Sequence, residues 1–282
     1  MKLSILKQQI LSELQNTPRA DYCTRRIIMQ FAKINDSEFF IGEKDIDKRA
    51  ERLIRSSALK RKNGAPLSYC LGQAEFMGLT FFVGHGVLIP RPETELLVEE
   101  VLDISKEKAA INFADWCSGS GCIGISILKL RGATSDFCTF VEKSSRAIRW
   151  NSKNIVLHNL NHCTKILQNK NIIDANFDIE SLDLITANPP YIDEKDMEAL
   201  MSEVRDFEPK MALNGGKNGI KIYKKLFIAT EQFLKSGGVL AMETAGASQI
   251  ELLEKMWQLH FDLVKIVKDY AGISRHVILK KR

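Results

Sequence analysis

The tetrapeptide Asn188-Pro189-Pro190-Tyr191 contains groups that could orient a weakly nucleophilic nitrogen. Two consecutive prolines lack backbone N–H donors and favour an extended conformation for the preceding asparagine. Acceptors therefore dominate, namely the Asn188 side-chain carbonyl and the Pro189 main-chain carbonyl. An amide or aromatic amine nitrogen carries two hydrogens and a delocalised lone pair, so two fixed acceptors could hold the hydrogens and aim the lone pair at an electrophile. The Tyr191 ring could pack on the flat group that carries this nitrogen.

A glycine-rich turn lies upstream, between a predicted strand and a predicted helix. Its sequence is Asp115-Trp116-Cys117-Ser118-Gly119-Ser120-Gly121, and glycines in this context let the backbone approach a ligand closely. Glu142 ends the next predicted strand, where a carboxylate can accept hydrogen bonds from both ribose hydroxyls of a nucleoside. The acid that starts the turn would repel a pyrophosphate and suits a cationic ligand. The arrangement therefore predicts S-adenosylmethionine, which carries an ammonium and a sulfonium, rather than NAD.

Alternating strands and helices beyond residue 110 must position both motifs. Such alternation predicts an α/β fold with a mostly parallel sheet, in which the carboxyl ends of the strands face the ligand crevice. A short connection at 269–272 predicts that the last two strands form a hairpin. The predicted strands cover 111–115, 137–142, 165–168, 182–188, 239–244, 262–268 and 276–280, and the predicted helices of this part cover 93–104, 122–130, 144–158 and 248–259.

The chain before this region has a different pattern. Residues 1–72 predict a small helical domain, because apolar residues recur at helical spacing over 3–16, 22–34 and 46–61. Short apolar runs separated by glycines predict a β-hairpin linker over 73–91, which leaves 92–282 as the catalytic domain. Eight basic residues lie between positions 44 and 62, a density that fits either a solvated helix face or a patch facing RNA.

Composition favours a soluble globular protein. Hydrophobic residues make up 45% and charged residues 27% of the 282 positions, and the formal net charge is only +5. The six cysteines include no Cys-x-x-Cys pair and no histidine at metal-ligand spacing, so we expect no metal site and a reducing, cytoplasmic setting. Lys7 and Glu13 interrupt the N-terminal apolar pattern, and no stretch approaches the roughly 20 apolar residues of a membrane span, so we expect neither a signal peptide nor a membrane anchor.

Several segments besides the glycine turn occur together in one known family. They are Leu88-Ile89-Pro90-Arg91-Pro92-Glu93-Thr94-Glu95, Asn188-Pro189-Pro190-Tyr191-Ile192, Phe207-Glu208-Pro209, Leu213-Asn214-Gly215-Gly216 with Gly219, and Asp269-Tyr270-Ala271-Gly272-Ile273-Ser274-Arg275. Through them the chain resembles the HemK/PrmC family of release factor glutamine methyltransferases over nearly its whole length. The tetrapeptide alone is shared with adenine and guanine N-methyltransferases, whereas the Ile-Pro-Arg-Pro-Glu-Thr-Glu segment and the N-terminal helical domain are typical of this family.

The resemblance implies a class I methyltransferase fold with a seven-stranded, Rossmann-like sheet. It implies methyl transfer from S-adenosylmethionine to the N5 amide nitrogen of the glutamine in the Gly-Gly-Gln motif of peptide chain release factors, which modulates translation termination and leaves S-adenosylhomocysteine. The helical domain would help to dock the release factor, and we expect a monomer. By position, cofactor contacts would come from Asp115, Cys117, Ser118, Gly119, Ser120, Gly121, Glu142, Asn171 and Asn188. Substrate contacts would come from Asn188, Pro189, Pro190, Tyr191, Arg91 and Glu93, of which Asn188, Pro189 and Tyr191 would be catalytic.

Two positions depart from the family pattern. The glycine turn has Cys117 where the family usually has glycine, and Lys170-Asn171 replaces the usual acid followed by an aromatic or apolar residue. A cysteine at positive φ would be strained. These departures predict adenine binding that is weaker or differently arranged.

Two other functions compete with this interpretation. A nucleic-acid N6-adenine methyltransferase could present its amine to the same acceptors after base flipping. Acidic residues outnumber basic ones over 193–207, which would repel phosphate beside the pocket and favours a protein substrate with little direct nucleic-acid binding. A non-catalytic module that lost cofactor affinity through Cys117 and Lys170 is the third hypothesis, and measured binding of S-adenosylmethionine would discriminate it.

Overall fold

The computed structural model describes residues 1–169 and 177–282 and divides into two compact units. The first contains Met1–Ala74 and Met201–Phe207, and the second contains Glu75–Leu200 and Glu208–Arg282. The later chain thus returns to the first unit over seven residues, which the sequence pattern did not predict. Within the described ranges, no helix combines the length and apolarity that a membrane crossing requires.

The helices and strands of the described residues are numbered in chain order. The α-helices are α1 (Leu3–Leu14), α2 (Ala20–Ala32), α3 (Asp36–Ile41), α4 (Lys48–Lys62), α5 (Leu67–Leu71), α6 (Pro92–Ser105), α7 (Cys122–Arg131), α8 (Ser145–Leu157), α9 (Ser202–Phe207), α10 (Lys210–Leu213), α11 (Lys221–Phe233) and α12 (Ala247–Trp257). The strands are β1 (Gln73–Phe76), β2 (Leu79–Phe82), β3 (Asn112–Trp116), β4 (Phe137–Glu142), β5 (Thr164–Gln168), β6 (Leu182–Ala187), β7 (Leu234–Glu243), β8 (Phe261–Lys268) and β9 (Ser274–Lys281).

The first unit is helical, as the sequence predicts. Leu3, Leu6, Ile10 and Leu14 of α1 lie about one helical turn apart and are fully buried against α2 and α4, which explains why this segment forms an amphipathic helix. Arg61 of α4 is also buried, and its guanidinium donates to the Ala65 carbonyl at 2.9 Å and to Glu203 of α9 at 2.6 Å. A buried guanidinium needs such partners because its charge is costly to remove from water, so this contact ties α9 to the unit.

The second unit is built on a seven-stranded sheet with the order β5-β4-β3-β6-β7-β9-β8. All its pairings are parallel except those of β9, which runs antiparallel to β7 and β8. Successive β3 side chains point to opposite faces: Phe113 packs with α6, α7 and α8, whereas Ala114 and Trp116 pack with α11 and α12. Helices therefore cover both faces, and the predicted α/β fold and C-terminal hairpin are confirmed.

Strand register brings the predicted site residues to one edge. Trp116, the last residue of β3, pairs with Val141 of β4 and Ala187 of β6, and Ala187 pairs with Met242 of β7. The residues that follow these strand ends therefore lie side by side. These include the glycine turn, Glu142, Asn188 and Glu243.

Several elements differ from the sequence prediction, which did not include the short helices α3, α5, α9 and α10. Within the range predicted for the linker hairpin, β1 pairs with β2, but the hairpin is shorter than predicted, since β2 ends at Phe82. Helix α11 was missed, although Tyr223, Leu226, Phe227 and Thr230 have helical spacing and are buried. Strand β7 begins at Leu234, ahead of its predicted start at 239, and Gly237 and Gly238 lie inside it, where the register with β6 is irregular.

Candidate active site

A cavity of about 400 Å³ opens at the carboxyl edge of the sheet, entirely within the second unit. It brings together the glycine turn and the tetrapeptide, which lie some 70 residues apart in sequence. The predicted residues that line it are Arg91, Cys117, Ser118, Gly119, Ser120, Glu142, Asn188 and Pro190. Lining residues that the sequence did not single out include Thr94, Asn169, Met211, Lys221 and Lys225.

The glycine turn follows β3 and leads into α7. Cys117, Gly119 and Gly121 have φ of 57°, 54° and 80°, so the chain curls sharply at alternate residues. At Gly121 a Cβ atom would lie 2.7 Å from Asn151 Oδ1, and Asn151 Nδ2 donates to Ser118 Oγ at 3.1 Å. Close packing against Asn151 thus determines the shape of the turn and requires glycine at its end.

Glu142 fixes the other side of this turn. Its Oε2 accepts from Gly119 N at 2.9 Å, and its Oε1 accepts from the backbone N–H groups of Lys143 and Ser144, each at 2.8 Å. Burial raises the pKa of Glu142, and these three backbone donors oppose that shift. The carboxylate is therefore held at the cavity wall by main-chain groups, with lone pairs left for a ligand hydroxyl.

Asp115 requires a correction. The sequence predicted that its carboxylate faces a cationic ligand, but Asp115 is fully buried and lies outside the lining that the described residues form. Its Oδ1 accepts from Thr186 Oγ1 at 2.9 Å and its Oδ2 from Gly124 N at 3.2 Å. Burial raises the pKa of Asp115 to about 7. Asp115 therefore supports the turn from behind by joining β6 to the start of α7.

This burial predicts a pH dependence of stability that an Asp115→Asn variant should lose. The Asp115 pKa of about 7 in the folded protein exceeds its ordinary 3.8, so between these values the folded chain holds a proton that the unfolded chain releases. The contribution of Asp115 to the free energy of unfolding is therefore largest below about pH 4. It falls as the pH rises from about 4 to about 7 and does not change further above that. An asparagine can still accept from Gly124 N and can donate to Thr186.

Urea unfolding at about pH 5 and about pH 7.5 measures the effect. We expect the wild-type free energy of unfolding to drop by on the order of 2 kcal/mol more than that of Asp115→Asn between these conditions. Equal drops in the two proteins would contradict this role of Asp115.

The tetrapeptide surrounds a buried carboxylate, Glu243, at the end of β7. Glu243 is 1% exposed, and its Oε2 accepts from Thr94 Oγ1 at 2.6 Å and from Asn188 Nδ2 at 3.1 Å. Its Oε1 accepts from the Tyr191 hydroxyl at 3.1 Å. Burial, followed by the Glu243 charge, raises the pKa of Tyr191 far above its usual range, so the hydroxyl keeps its proton and donates it. His276 Nε2 lies 3.6 Å from Glu243 Oε2.

Some predicted substrate residues lie beside the cavity rather than in its wall. Pro189 is buried, the Tyr191 hydroxyl points to Glu243, and neither residue is part of the lining that the described residues form. Glu93 is half-buried and lies outside the lining that the described residues form, whereas its neighbour Thr94 lines the cavity. The predicted cofactor contact Asn171 and its neighbour at 170 lie outside the described residues.

Arg91 connects two of the motifs. Its Nη2 donates to Glu208 Oε1 at 2.5 Å, and the Ile89 N–H donates to Glu208 Oε2 at 3.0 Å. Glu208 is buried, so the pair is shielded from solvent. The proline-rich segment before α6 is thereby held against Glu208, which precedes the cavity-lining residue Pro209.

Two glycines of the segment 213–219 press against the tetrapeptide backbone. A Cβ atom at Gly215 would lie 2.6 Å from the Pro190 carbonyl oxygen, and one at Gly219 would lie 2.0 Å from the Tyr191 carbonyl oxygen. Gln249 Nε2 donates to the same Tyr191 oxygen at 3.1 Å. The backbone of the tetrapeptide is therefore clamped from outside the cavity.

A Cys117→Gly variant should be more stable than the wild type. Cys117 has φ of 57°, the left-handed conformation that costs a residue with a Cβ about 1–2 kcal/mol. Glycine avoids this cost but adds about 0.5–1 kcal/mol of unfolded-state entropy. We expect a net gain of about 0.5–1 kcal/mol in urea unfolding, matched by a higher Tm. A less stable variant would contradict the assigned strain.

Known proteins similar to this chain carry a consistent description. The family model described as "Methyltransferase small domain" matches residues 92–206. Release factor glutamine methyltransferases from Thermodesulfovibrio yellowstonii, Clostridium botulinum and Aquifex aeolicus are 33%, 39% and 30% identical to it. The alignments cover 91%, 78% and 99% of this chain and 91%, 77% and 98% of those relatives. The chain belongs to the release factor glutamine methyltransferase family. The resemblance inferred from the motifs is thus confirmed.

A solved structure supports the fold of this family member. TrmN from Thermus thermophilus superposes with a TM-score of 0.50 over 66% of this chain and 48% of that chain. At 18% identity this likeness concerns the fold alone. The class I methyltransferase fold predicted from the sequence is confirmed.

The cavity residues of this release factor glutamine methyltransferase fit S-adenosylmethionine. The apolar residues Val87, Leu88, Ile123 and Ala147 are among those that line the cavity, which suits a ligand with an adenine ring. Glu142 also lines the cavity, and its carboxylate suits the ribose hydroxyls. The glycine turn lines the same cavity and would let the cofactor approach its backbone closely.

Proposed function

We propose that this chain transfers a methyl group from S-adenosylmethionine to the N5 amide nitrogen of the Gly-Gly-Gln glutamine in peptide chain release factors, and thereby modulates translation termination. One observation carries the proposal: Asn188 of the tetrapeptide and the glycine turn with Glu142 line the same cavity. The identity of 30–39% to relatives described as release factor glutamine methyltransferases supports the substrate. The six free cysteines support a reducing, cytoplasmic setting, and we propose a monomer.

The bound cofactor supplies an electrophilic methyl group. Asn188 contributes a side-chain carbonyl at the cavity wall, and the Pro189 main-chain carbonyl is the proposed second acceptor. Together they would hold the two hydrogens of the glutamine amide and direct the nitrogen lone pair at the methyl group. As the N–C bond forms and the S–CH3 bond breaks, positive charge develops on nitrogen, and these oxygen dipoles stabilise it more than they stabilise the neutral amide, which lowers the barrier. The nitrogen then loses one hydrogen as a proton to water, which leaves the neutral methylamide.

Transfer of a labelled methyl group to a purified release factor tests the function. The matched control is the same release factor with its Gly-Gly-Gln glutamine replaced by alanine. Label in the first protein alone supports the proposal. Label in neither, with cofactor binding confirmed by calorimetry, would reject it, and label in nucleic acid instead would favour the N6-adenine alternative.

The N-terminal unit is the proposed docking domain for the release factor. On α3 it exposes two adjacent apolar side chains, Phe40 and Ile41, each 67% exposed, and the Arg25 guanidinium stacks on the Phe40 ring. Large apolar and arginine side chains together are typical of protein-binding surfaces. This surface gives the docking proposal a specific test.

A Phe40→Ser, Ile41→Ser double variant should raise KM for the release factor by about 5- to 10-fold, because it removes apolar contact area from the docking surface. Cofactor affinity should not change. Leu259→Ser is the matched control, since Leu259 is 74% exposed and lies just before β8, at the edge of the sheet opposite the cavity. An unchanged KM in the double variant would refute docking through this surface.

A further inference from the structure

We propose that Glu243 is a positioning residue that determines which end of the Asn188 amide faces the substrate. This inference rests on the proposed function and deepens it. Asn188 can assist the reaction only if its Oδ1, and not its NH2 group, points at the glutamine amide, because two NH2 groups cannot hydrogen-bond to each other. Nothing in the tetrapeptide itself selects between these two orientations, since the terminal amide of asparagine rotates freely between them.

The hydrogen-bond directions around Glu243 make the selection. An ionised carboxylate accepts and cannot donate, so the Asn188 atom 3.1 Å from Glu243 Oε2 must be the nitrogen. Thr94 strengthens the choice. Its hydroxyl uses its one hydrogen on Glu243 Oε2 at 2.6 Å and can therefore meet the Asn188 nitrogen, 3.3 Å away, only as an acceptor. Two acceptors thus face one end of the amide, which leaves Oδ1 for the cavity.

The carboxylate that makes this choice is itself fixed. Its second oxygen, Oε1, accepts from the Tyr191 hydroxyl at 3.1 Å, so rotation of the carboxylate would break bonds at both oxygens. Glu243 is 1% exposed and lies outside the cavity lining formed by the described residues, so it acts on the substrate only through the side chains that it holds, among them Asn188. Thr94, Asn188, Tyr191 and Glu243 form one buried network in which every hydrogen has a defined direction.

Exchange of donor and acceptor across this network is the sharpest test. In Asn188→Asp, two carboxylates would face each other, and we expect kcat for methyl transfer to fall by about 100-fold or more. Adding Glu243→Gln places an NH2 donor opposite the introduced carboxylate, whose other oxygen can then face the glutamine amide. The double variant should recover at least about 10-fold in kcat over the single Asn188→Asp variant. If the kcat loss of the double variant equals the sum, in free energy, of the losses of the two single variants, Glu243 has a structural role only.

Two single variants complete the series. Glu243→Ala should lower kcat by more than about 10-fold with little change in cofactor Kd, because the freed Thr94 hydroxyl, 3.3 Å from the Asn188 amide, can then donate to Oδ1 and hold the amide in the flipped orientation. Glu243→Gln should stay within about 10-fold of wild-type kcat, since its carbonyl can take the Oε2 place while its NH2 group meets the Tyr191 hydroxyl, which can turn to accept. Near-wild-type kcat in Glu243→Ala would overturn the proposal.

Asp136→Asn is the matched control for loss of a buried carboxylate. Asp136 accepts from Ile111 N and pairs with Arg131 at the start of β4, at the edge of the sheet opposite the cavity. We expect lower stability but a kcat within about twofold of wild type, since this residue lies far from the network. A comparable loss of kcat in this control would attribute the effect of Glu243 to general destabilisation.

A measurement that does not depend on methyl transfer can distinguish this inference from the proposed function. The side-chain NH2 hydrogens of Asn188, followed by ¹⁵N NMR, should exchange slowly with solvent in the wild type and rapidly in Glu243→Ala. If the wild type labels no release factor but shows this protection, the proposed function fails and the orientation of Asn188 stands. If transfer occurs but the hydrogens exchange rapidly in the wild type, the positioning role fails.

Discussion

Asn188→Ala should lower kcat for methyl transfer by about 100- to 1,000-fold, the usual effect of removing one preorganised group that stabilises transition-state charge. The amide nitrogen of glutamine is a poor nucleophile, so loss of the Asn188 carbonyl removes an interaction that is stronger in the transition state than in the ground state. We expect kcat and kcat/KM to fall together. Cofactor affinity should change by less than about 10-fold, because Glu142 and the glycine turn are untouched.

Single-turnover transfer of labelled methyl to a release factor measures this effect directly. Asn112→Ala is the matched control, since Asn112 is a half-buried asparagine at the amino end of β3 whose Nδ2 donates to the Ser181 carbonyl at 3.2 Å. This control should lose a little stability and keep its kcat. Turnover of Asn188→Ala within about threefold of wild type would refute the role of the amide.

Gly219→Ala should destabilise the second unit by on the order of 3–5 kcal/mol and reduce transfer more than 10-fold. Gly219 has φ of 68°, and its Cβ atom would lie 2.0 Å from the Tyr191 carbonyl oxygen and 2.5 Å from Gln249 Nε2. No side-chain rotation can relieve a clash with main-chain oxygen. The tetrapeptide backbone must shift, and Tyr191 moves away from Glu243.

A Gly132→Ala variant has the left-handed backbone strain of Gly219→Ala but not its clash, so it measures the strain alone. Gly132 has a similar φ of 64° at the end of α7, but its Cβ atom would meet nothing within 4 Å. We expect a loss of about 1 kcal/mol there, with unchanged transfer. Urea unfolding and transfer rates of both variants check the prediction, and equal losses of stability would show that the clash at Tyr191 relaxes cheaply.

Parts of the site were predictable because they depend on local pattern. In a parallel sheet the carboxyl ends of strands meet at one edge, so residues that follow β3, β4 and β6 had to lie together. The sequence therefore predicted that Glu142 and Asn188 belong to one site. The place of Cys117 in the glycine turn also indicated that it could need a positive φ, and its φ is 57°.

Other parts depend on contacts that no local pattern records. Asn188 and Glu243 are 55 residues apart, and their hydrogen bond follows from the pairing of β6 with β7 in the sheet. Asp115 was assigned to the ligand because its type suits a cation, but alternation along β3 turns its side chain to the face covered by α7. Helical periodicity could have located α11, whereas nothing in the sequence marks Met201–Phe207 as part of the first unit.

That returning segment has a consequence for how the protein is made. Arg61 is synthesised early, but its carboxylate partner Glu203 belongs to a stretch that follows β3, β4, β5 and β6, four of the seven strands of the sheet. At the usual rate of translation, the roughly 130 residues between Ala74 and Met201 take about 7–25 seconds to emerge. During that time the nascent first unit has its guanidinium in place without its counterion. Assembly of the N-terminal unit is therefore timed by the elongating ribosome and finishes only after β6 has left the exit tunnel.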